Sequence, residues 1–343
     1  METLPFTRIE GSPSEIGEAL GRLAKPALQT YLANSEVWKA LQQWRGHARV
    51  DKMMAATRMT LPDCWEELEG MARAAGMPVS DIFLWNCRTD LLEETPDSSL
   101  SIAVNRLANG LIGHIVTGSR TWGGHCHIVD IAPRGKPGFI GFYCPGTLPG
   151  YAIAVSRAGL VQAMDTLPVH GNRNDNGLPS FALCRAMLDT TSMPDAIETL
   201  VENPRAGSFH QIVGWAGEFI MVSVEATPHS RSLVPIARTY GHANQALHDA
   251  SLPQSPVDSV RERKTRISGL LAALPDLPDE SDLFNLLFKD ETQTWRHIPD
   301  ARADEETTLA TAVIRFTPTE IRLQISASDR ASIQKHTILL GRR

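Results

Sequence analysis

The sequence predicts an α+β fold in which helical and sheet layers stack within one domain. Three observations carry this. Apolar residues over the first ~95 positions recur mainly at helical spacing. From Leu100 the texture changes to short apolar runs separated by Gly, Pro and Asn. Helix blocks and strand blocks are segregated, which argues against a parallel βαβ array.

The first helix is expected from Ser12-Pro13-Ser14-Glu15, a cap-like serine with an early acid, and runs to about Leu32. A second should begin near Leu61-Pro62, place Trp65, Leu68, Met71 and Ala72 on one face, and end near Gly76. Ser80-Asp81 then caps a third, Ile82 to Leu92, and Glu93 to Ser98 reads as a loop around Pro96. Ile102 to Val104, Leu111 to Thr117, His127 to Ile131, Gly138 to Tyr143, Tyr151 to Val155 and Leu160 to Met164 read as strands of a meander. Helices follow over Leu178 to Asp189 and Met193 to Glu202, the latter capped by Ser192. Gln211 to Val213 and Phe219 to Val224 flank a Gly-rich turn and suggest a hairpin. Two more helices, Val257 to Ala273 and Ser281 to Phe288, precede two last strands, Ala310 to Phe316 and Glu320 to Ser326. No repeat, low-complexity stretch or Gly/Ser linker divides the chain, so one domain over 1–343 is expected.

Composition removes several function classes. The 343 residues are 42% hydrophobic and 21% charged, as in ordinary globular proteins, and the net charge of -6 gives nucleic-acid binding no support. The one basic run, Arg261 to Arg266, contains Glu262 and reads as a solvated helix face. The start of the chain lacks the charged and apolar regions of a signal peptide, and no apolar window is long enough for a membrane span. Five scattered cysteines without a CxxC pair fit free thiols in a reducing cytoplasm. There is no GxSxG, Walker loop, GxGxxG or HExxH. His125-Cys126-His127 would put two histidines on one strand face. No second cluster with ligand spacing accompanies them, so they read as polar sheet positions rather than a metal site.

Several segments, in order, resemble one family. Glu69 to Gly76 is similar to an "EL-G-A-A-G" helix, and Asn86-Cys87-Arg88-Thr89-Asp90 to "N-x-R-x-E". Asp97 to Val104 aligns with "D-G-C-T-S-F-A-V", and Gly118 to Gly123 with "G-Q-N-W-D". Gly177-Leu178-Pro179 through Arg185 and Leu188 matches "G-x-P…L-x-R-x-L-L". Arg205 to Gln211 with Val224-Glu225 matches "R-A-S-S-H-N…V-E", Gly241 to Gln245 matches "H-x-N-H", and Trp295-Arg296-His297 resembles "I-C-R-H". These are segments of the acyl-CoA:6-aminopenicillanic acid acyltransferase (C45 peptidase) family of Ntn hydrolases, and the resemblance spans nearly the whole chain.

The resemblance implies a four-layer αββα sandwich with two antiparallel sheets. It also implies a precursor that cuts itself before its nucleophile, whose freed α-amine then acts as base. That amine has an ordinary pKa of ~7.7–8.0, suited to proton transfer at neutral pH. Carried over by position, the nucleophile is Ser99 and the cut falls between Ser98 and Ser99. Asn244 supplies the oxyanion-hole amide, and Arg296, His242, Ser208 and Trp122 fall near the substrate pocket. Serine stands at Ser99 where the family has cysteine. Ser98 replaces glycine, Leu100 threonine, Gly123 aspartate and Gln245 histidine. Native serine chemistry, a substitution made to trap a precursor, and a homologue without self-processing all remain open. The implied reaction is hydrolysis or acyl transfer on a small N-acylated amine, amino acid or dipeptide-like amide, with no metal or organic cofactor. A homodimer is allowed for. Each residue also has a bland reading: Ser99 and Ser101 as a strand start, Asn244 as a loop residue, Arg296 paired with Asp300, and Glu225 as a structural carboxylate.

Overall fold

A computed structural model describes residues 3–32, 35–92, 99–106, 109–171, 173–218, 220–254, 257–289, 306–327 and 332–341. Strand β1 (Phe6–Gly11) precedes six helices: α1 (Pro13–Tyr31), α2 (Glu36–Gln42), α3 (Ala48–Thr60), α4 (Pro62–Ala75), α5 (Val79–Asn86) and α6 (Arg88–Leu91). Next come β2 (Leu100–Arg106), β3 (Asn109–Ser119), a 3-10 turn over Arg120–Trp122, β4 (His127–Pro133), β5 (Phe139–Tyr143), β6 (Ile153–Ser156) and β7 (Leu160–Thr166). Helices α7 (Ser180–Met187) and α8 (Met193–Val201) lead to β8 (Phe209–Trp215), β9 (Ile220–Ala226), β10 (Arg231–Pro235) and β11 (Thr239–His242). The chain continues through α9 (Val257–Ala272), α10 (Glu280–Lys289), β12 (Glu306–Phe316), β13 (Glu320–Ser326) and β14 (Gln334–Leu339).

The strands form two sheets. One has eight strands in the order β1-β4-β5-β6-β7-β8-β9-β10, the other six in the order β11-β2-β3-β12-β13-β14. Helix α1 packs on β1 and β4 and α8 on β8, whereas α9 packs on β11 and α10 on β3 and β12. The result is an αββα sandwich, as expected. All pairings between the named strands are antiparallel except β1 with β4, which is parallel.

Side-chain alternation in β2 assigns its faces. Leu100, Ile102 and Val104 join Ile267, Leu283 and Leu287 in the core under α9 and α10. Ser101 points the other way and reaches β7, because successive strand residues face opposite sides. Leu100 is thus explained: it packs into the outer layer, away from the space between the sheets.

Most expected elements form. Ser12 and Glu15 make a capping box on α1, and Gly76 ends α4 at φ 75, a left-handed cap that favours glycine. Ser192 caps α8, and the β8–β9 hairpin forms as predicted. The predicted third helix differs. It starts at Val79 after Pro78, without a side-chain cap, and breaks at Cys87 into α5 and α6. The predicted meander is split: β2 and β3 belong to the second sheet. Strands β1, β10, β11 and β14 and helices α2 and α3 were not anticipated. Of these, β10 is an edge strand of mostly exposed residues, so no apolar alternation marks it.

Helices α1 and α4 touch backbone to backbone. A Cβ on Gly17 would collide with the Glu67 carbonyl, and one on Gly70 with that of Ser14. Glu67 turns inward from α4 and meets Arg185 of α7, which is buried and donates from Nε and Nη2 to its carboxylate. No helix among the described residues is long and apolar enough to cross a membrane.

Candidate active site

Ser99 stands one residue before β2 and is 4% exposed. It follows the alternation of Ser101 and so belongs to the face between the sheets. The Nδ2 amide of Asn244 donates to Ser99 Oγ at 3.1 Å across 145 positions of sequence. The same amide donates to Thr166 Oγ1 at 2.8 Å and to the Thr166 carbonyl at 3.1 Å. Thr166 ends β7, so both sheets fix this amide. Asn244 itself is held at φ 50, in the left-handed region that asparagine tolerates better than most residues. Strained backbone of this kind is concentrated at functional sites.

Behind this pair, two rows of polar side chains face each other. In the six-stranded sheet, ladder pairing aligns His242, Ser101 and His114. In the eight-stranded sheet it aligns Asp165, His210 and Glu225. Asp165 Oδ2 accepts from Ser101 Oγ at 2.7 Å and lies 3.0 Å from His210 Nδ1. Ser101 Oγ is also 2.9 Å from His114 Nδ1. His210 Nε2 is 2.9 Å from Ser223 Oγ, and the His210 and His242 rings stack at 3.4 Å. His242 sits between two carboxylates, with Nδ1 3.4 Å from Asp165 Oδ2 and Nε2 3.6 Å from Glu225 Oε1. Glu225 is anchored by the amides of Leu247 and His248.

Burial and neighbours set the charges. Burial alone would lower His242, but Asp165 and Glu225 outweigh it and raise its pKa above the ordinary histidine value. Burial and the adjacent His242 push His210 down to about 4. Burial would raise Asp165, yet His210, His242 and His114 hold it well below the usual carboxylate range.

A family model described as acyl-coenzyme A:6-aminopenicillanic acid acyl-transferase matches residues 122–330, more than half of the 343 residues. The chain belongs to this family. Membership in the acyl-transferase family points to an enzyme of the acyltransferase and hydrolase class. No curated protein matches the chain. The matched segment holds Trp122, Ser208, His242, Asn244 and Arg296, while Ser99 precedes it. Ser99 thus lies outside the matched segment, and its partner Asn244 lies within it.

The remaining residues that the acyl-transferase resemblance singled out are dispersed. Ser208 immediately precedes Phe209, whose ladder partner is Thr166, so it lies at the Ser99 end of the sheet. Its hydroxyl is buried and has no hydrogen-bond partner among the described residues. His242 is fully buried against Asp165 and Glu225. Trp122 packs against Tyr31 and Trp85 in the helical layer. Arg296 and Asp300 lie outside the described residues. His127 opens β4 beside Thr7, and Cys126 bonds to the Trp122 carbonyl.

Sequence reasoning passed over Asp165 and Thr166, and met His210 only as one position of a family-like segment without a role. A signal was present: an aspartate interrupting the apolar run from Leu160 is a buried charge, and buried charges need partners. The partners come from other strands, so no local spacing reveals them.

Proposed function

We propose that the chain is an amide hydrolase or N-acyltransferase that uses Ser99 as its nucleophile after self-cleavage of the Ser98–Ser99 bond. The observation that carries this reading is the buried contact from Asn244 Nδ2 to Ser99 Oγ. Ser99 Oγ adds to the carbonyl of a small N-acylated amine, amino acid or dipeptide-like amide. The freed α-amine of Ser99 takes the hydroxyl proton and returns it to the leaving amine. Asn244 Nδ2 stabilises the oxyanion, and water or an acceptor amine or thiol then releases the acyl group from Ser99. The Ser208 hydroxyl, at the same end of the sheet and without a partner among the described residues, is available to the substrate. The two cleavage products remain parts of one domain, 1–98 mainly helical and 99–343 carrying the catalytic groups.

Intact mass of freshly purified protein tests the cut. Fragments 1–98 and 99–343 are expected, and a single uncut chain with full amide turnover rules self-cleavage out. Ser99→Ala in chains assembled from separately expressed 1–98 and 99–343 tests the nucleophile, and unchanged turnover there rules Ser99 out. A second reading keeps the same pocket for ligand binding in an uncut chain. It draws on Asn244 Nδ2 being engaged by both Ser99 and Thr166. Ligand-induced thermal stabilisation without amide turnover supports that reading.

A further inference from the structure

On the reading of Ser99 as nucleophile and Asn244 as oxyanion donor, we propose that Glu225 and His242 are positioning residues. They clasp the segment that carries Asn244 and so set its amide against Ser99.

Residues 243–248 leave β11 just after His242. Strand β11 has only four residues, stands at the edge of its sheet and pairs with β2 alone among the described residues. Its own sheet therefore holds the start of the segment from one side. Glu225, on β9 of the opposite sheet, supplies the other side. Its Oε1 accepts from the Leu247 amide at 2.7 Å and its Oε2 from the His248 amide at 3.0 Å. His242 Nε2 lies 3.6 Å from the same Oε1. One carboxylate thus meets both ends of the segment, with Asn244 between them. Asp165 holds the His242 end as well, its Oδ2 3.4 Å from His242 Nδ1. The residue after Asp165 is Thr166, which accepts from the Asn244 amide.

Both ring nitrogens of His242 face carboxylate oxygens, and an ionised carboxylate only accepts. A neutral ring would aim a lone pair at one of them, so the arrangement suits the doubly protonated ring. Among the described residues no lysine or arginine pairs with either carboxylate, which leaves His242 as the cation between them. Its raised pKa agrees with that charge. The neighbouring groups do not compete for it. His210, stacked on His242, is pushed down to about 4. Burial also lowers His114 beside Asp165 and His248 beside Glu225, and raises the Tyr240 hydroxyl.

Two measurements on the full chain read the clasp without any substrate. In NMR of isotope-labelled histidines, one ring should keep both protons to a pH above the ~6.5 of an ordinary histidine. That signal should vanish in His242→Gln. Hydrogen exchange over 243–248 should be faster in His242→Gln and Glu225→Gln than in the wild type. A wild type with no such histidine overturns the proposal without recourse to any variant, and unchanged exchange in both folded variants overturns it equally. Kinetics on chains whose cut is confirmed by mass then tie the clasp to Asn244. Each variant should lower kcat by up to about 10²-fold with KM little changed, the cost of misplacing a group by about an ångström. Made in Asn244→Gly, the same changes should cost nothing further, because they act through that amide. Equal losses in both backgrounds overturn the proposal. A wild type without amide turnover sinks the proposed function alone, and the NMR and exchange results still decide the clasp.

Discussion

At the scale of single residues, the site turns on one amide shared between two hydroxyls. In the proposed mechanism Asn244 donates to the oxyanion; removing such a donor costs about 10²–10³ in kcat, and Asn244→Gly should show that loss with little change in KM. Glycine is the informative replacement because it keeps φ 50 without strain, so the loss reports the side chain. Thr166→Val removes one of the two Thr166 oxygens that accept from the amide and should lower kcat by less. Ser99→Cys keeps the geometry and supplies a more readily ionised nucleophile, so turnover should be retained in it and lost in Ser99→Ala. Steady-state kinetics on one amide substrate checks all four. The family-like motifs singled out Ser99 and Asn244, which the fold brings into contact. Thr166 and Asp165 were not singled out, because β7 brings them to the site only once the sheets face each other.

At the scale of elements, two contacts decide whether the helical layer seats correctly. Alanine at Gly17 or Gly70 must push α1 away from α4, since each new methyl meets a backbone carbonyl that cannot rotate aside. Overpacking of this kind costs about 1–3 kcal/mol, visible as a lower urea midpoint with an unchanged slope. Arg185→Met should cost more, about 3–5 kcal/mol, because it strands the Glu67 carboxylate in a dry interior. Adding Glu67→Leu to that variant should recover most of the loss, which a double-mutant cycle measures. The longer helices α1 and α4 and the central strands were legible from caps and periodicity, whereas α2 and α3 were not. The edge and short strands were not, since exposed β10 and four-residue β11 carry too few alternating positions to register.

At the scale of the whole molecule, stability should depend on pH through Asp90. Burial is the main cause that pushes its pKa up to about 7, against the hydrogen bonds from Ser180 and the charge of Arg49. The folded chain therefore keeps a proton that the unfolded chain releases near 3.8. Asp90's stabilising contribution is complete below that value and is lost as pH rises through about 7. The Tm of Asp90→Asn should accordingly gain on the wild type between about pH 5 and about pH 8 in thermal melts. The layered fold itself was legible in the segregation of helix and strand blocks, but the use of the first strand was not. A cut between Ser98 and Ser99 would put β1 on one polypeptide and its neighbour β4 on the other, six ladder pairs joining them. Such a product is an intertwined heterodimer. It would run as two bands on a denaturing gel yet elute as one particle, and neither piece would refold without its complement.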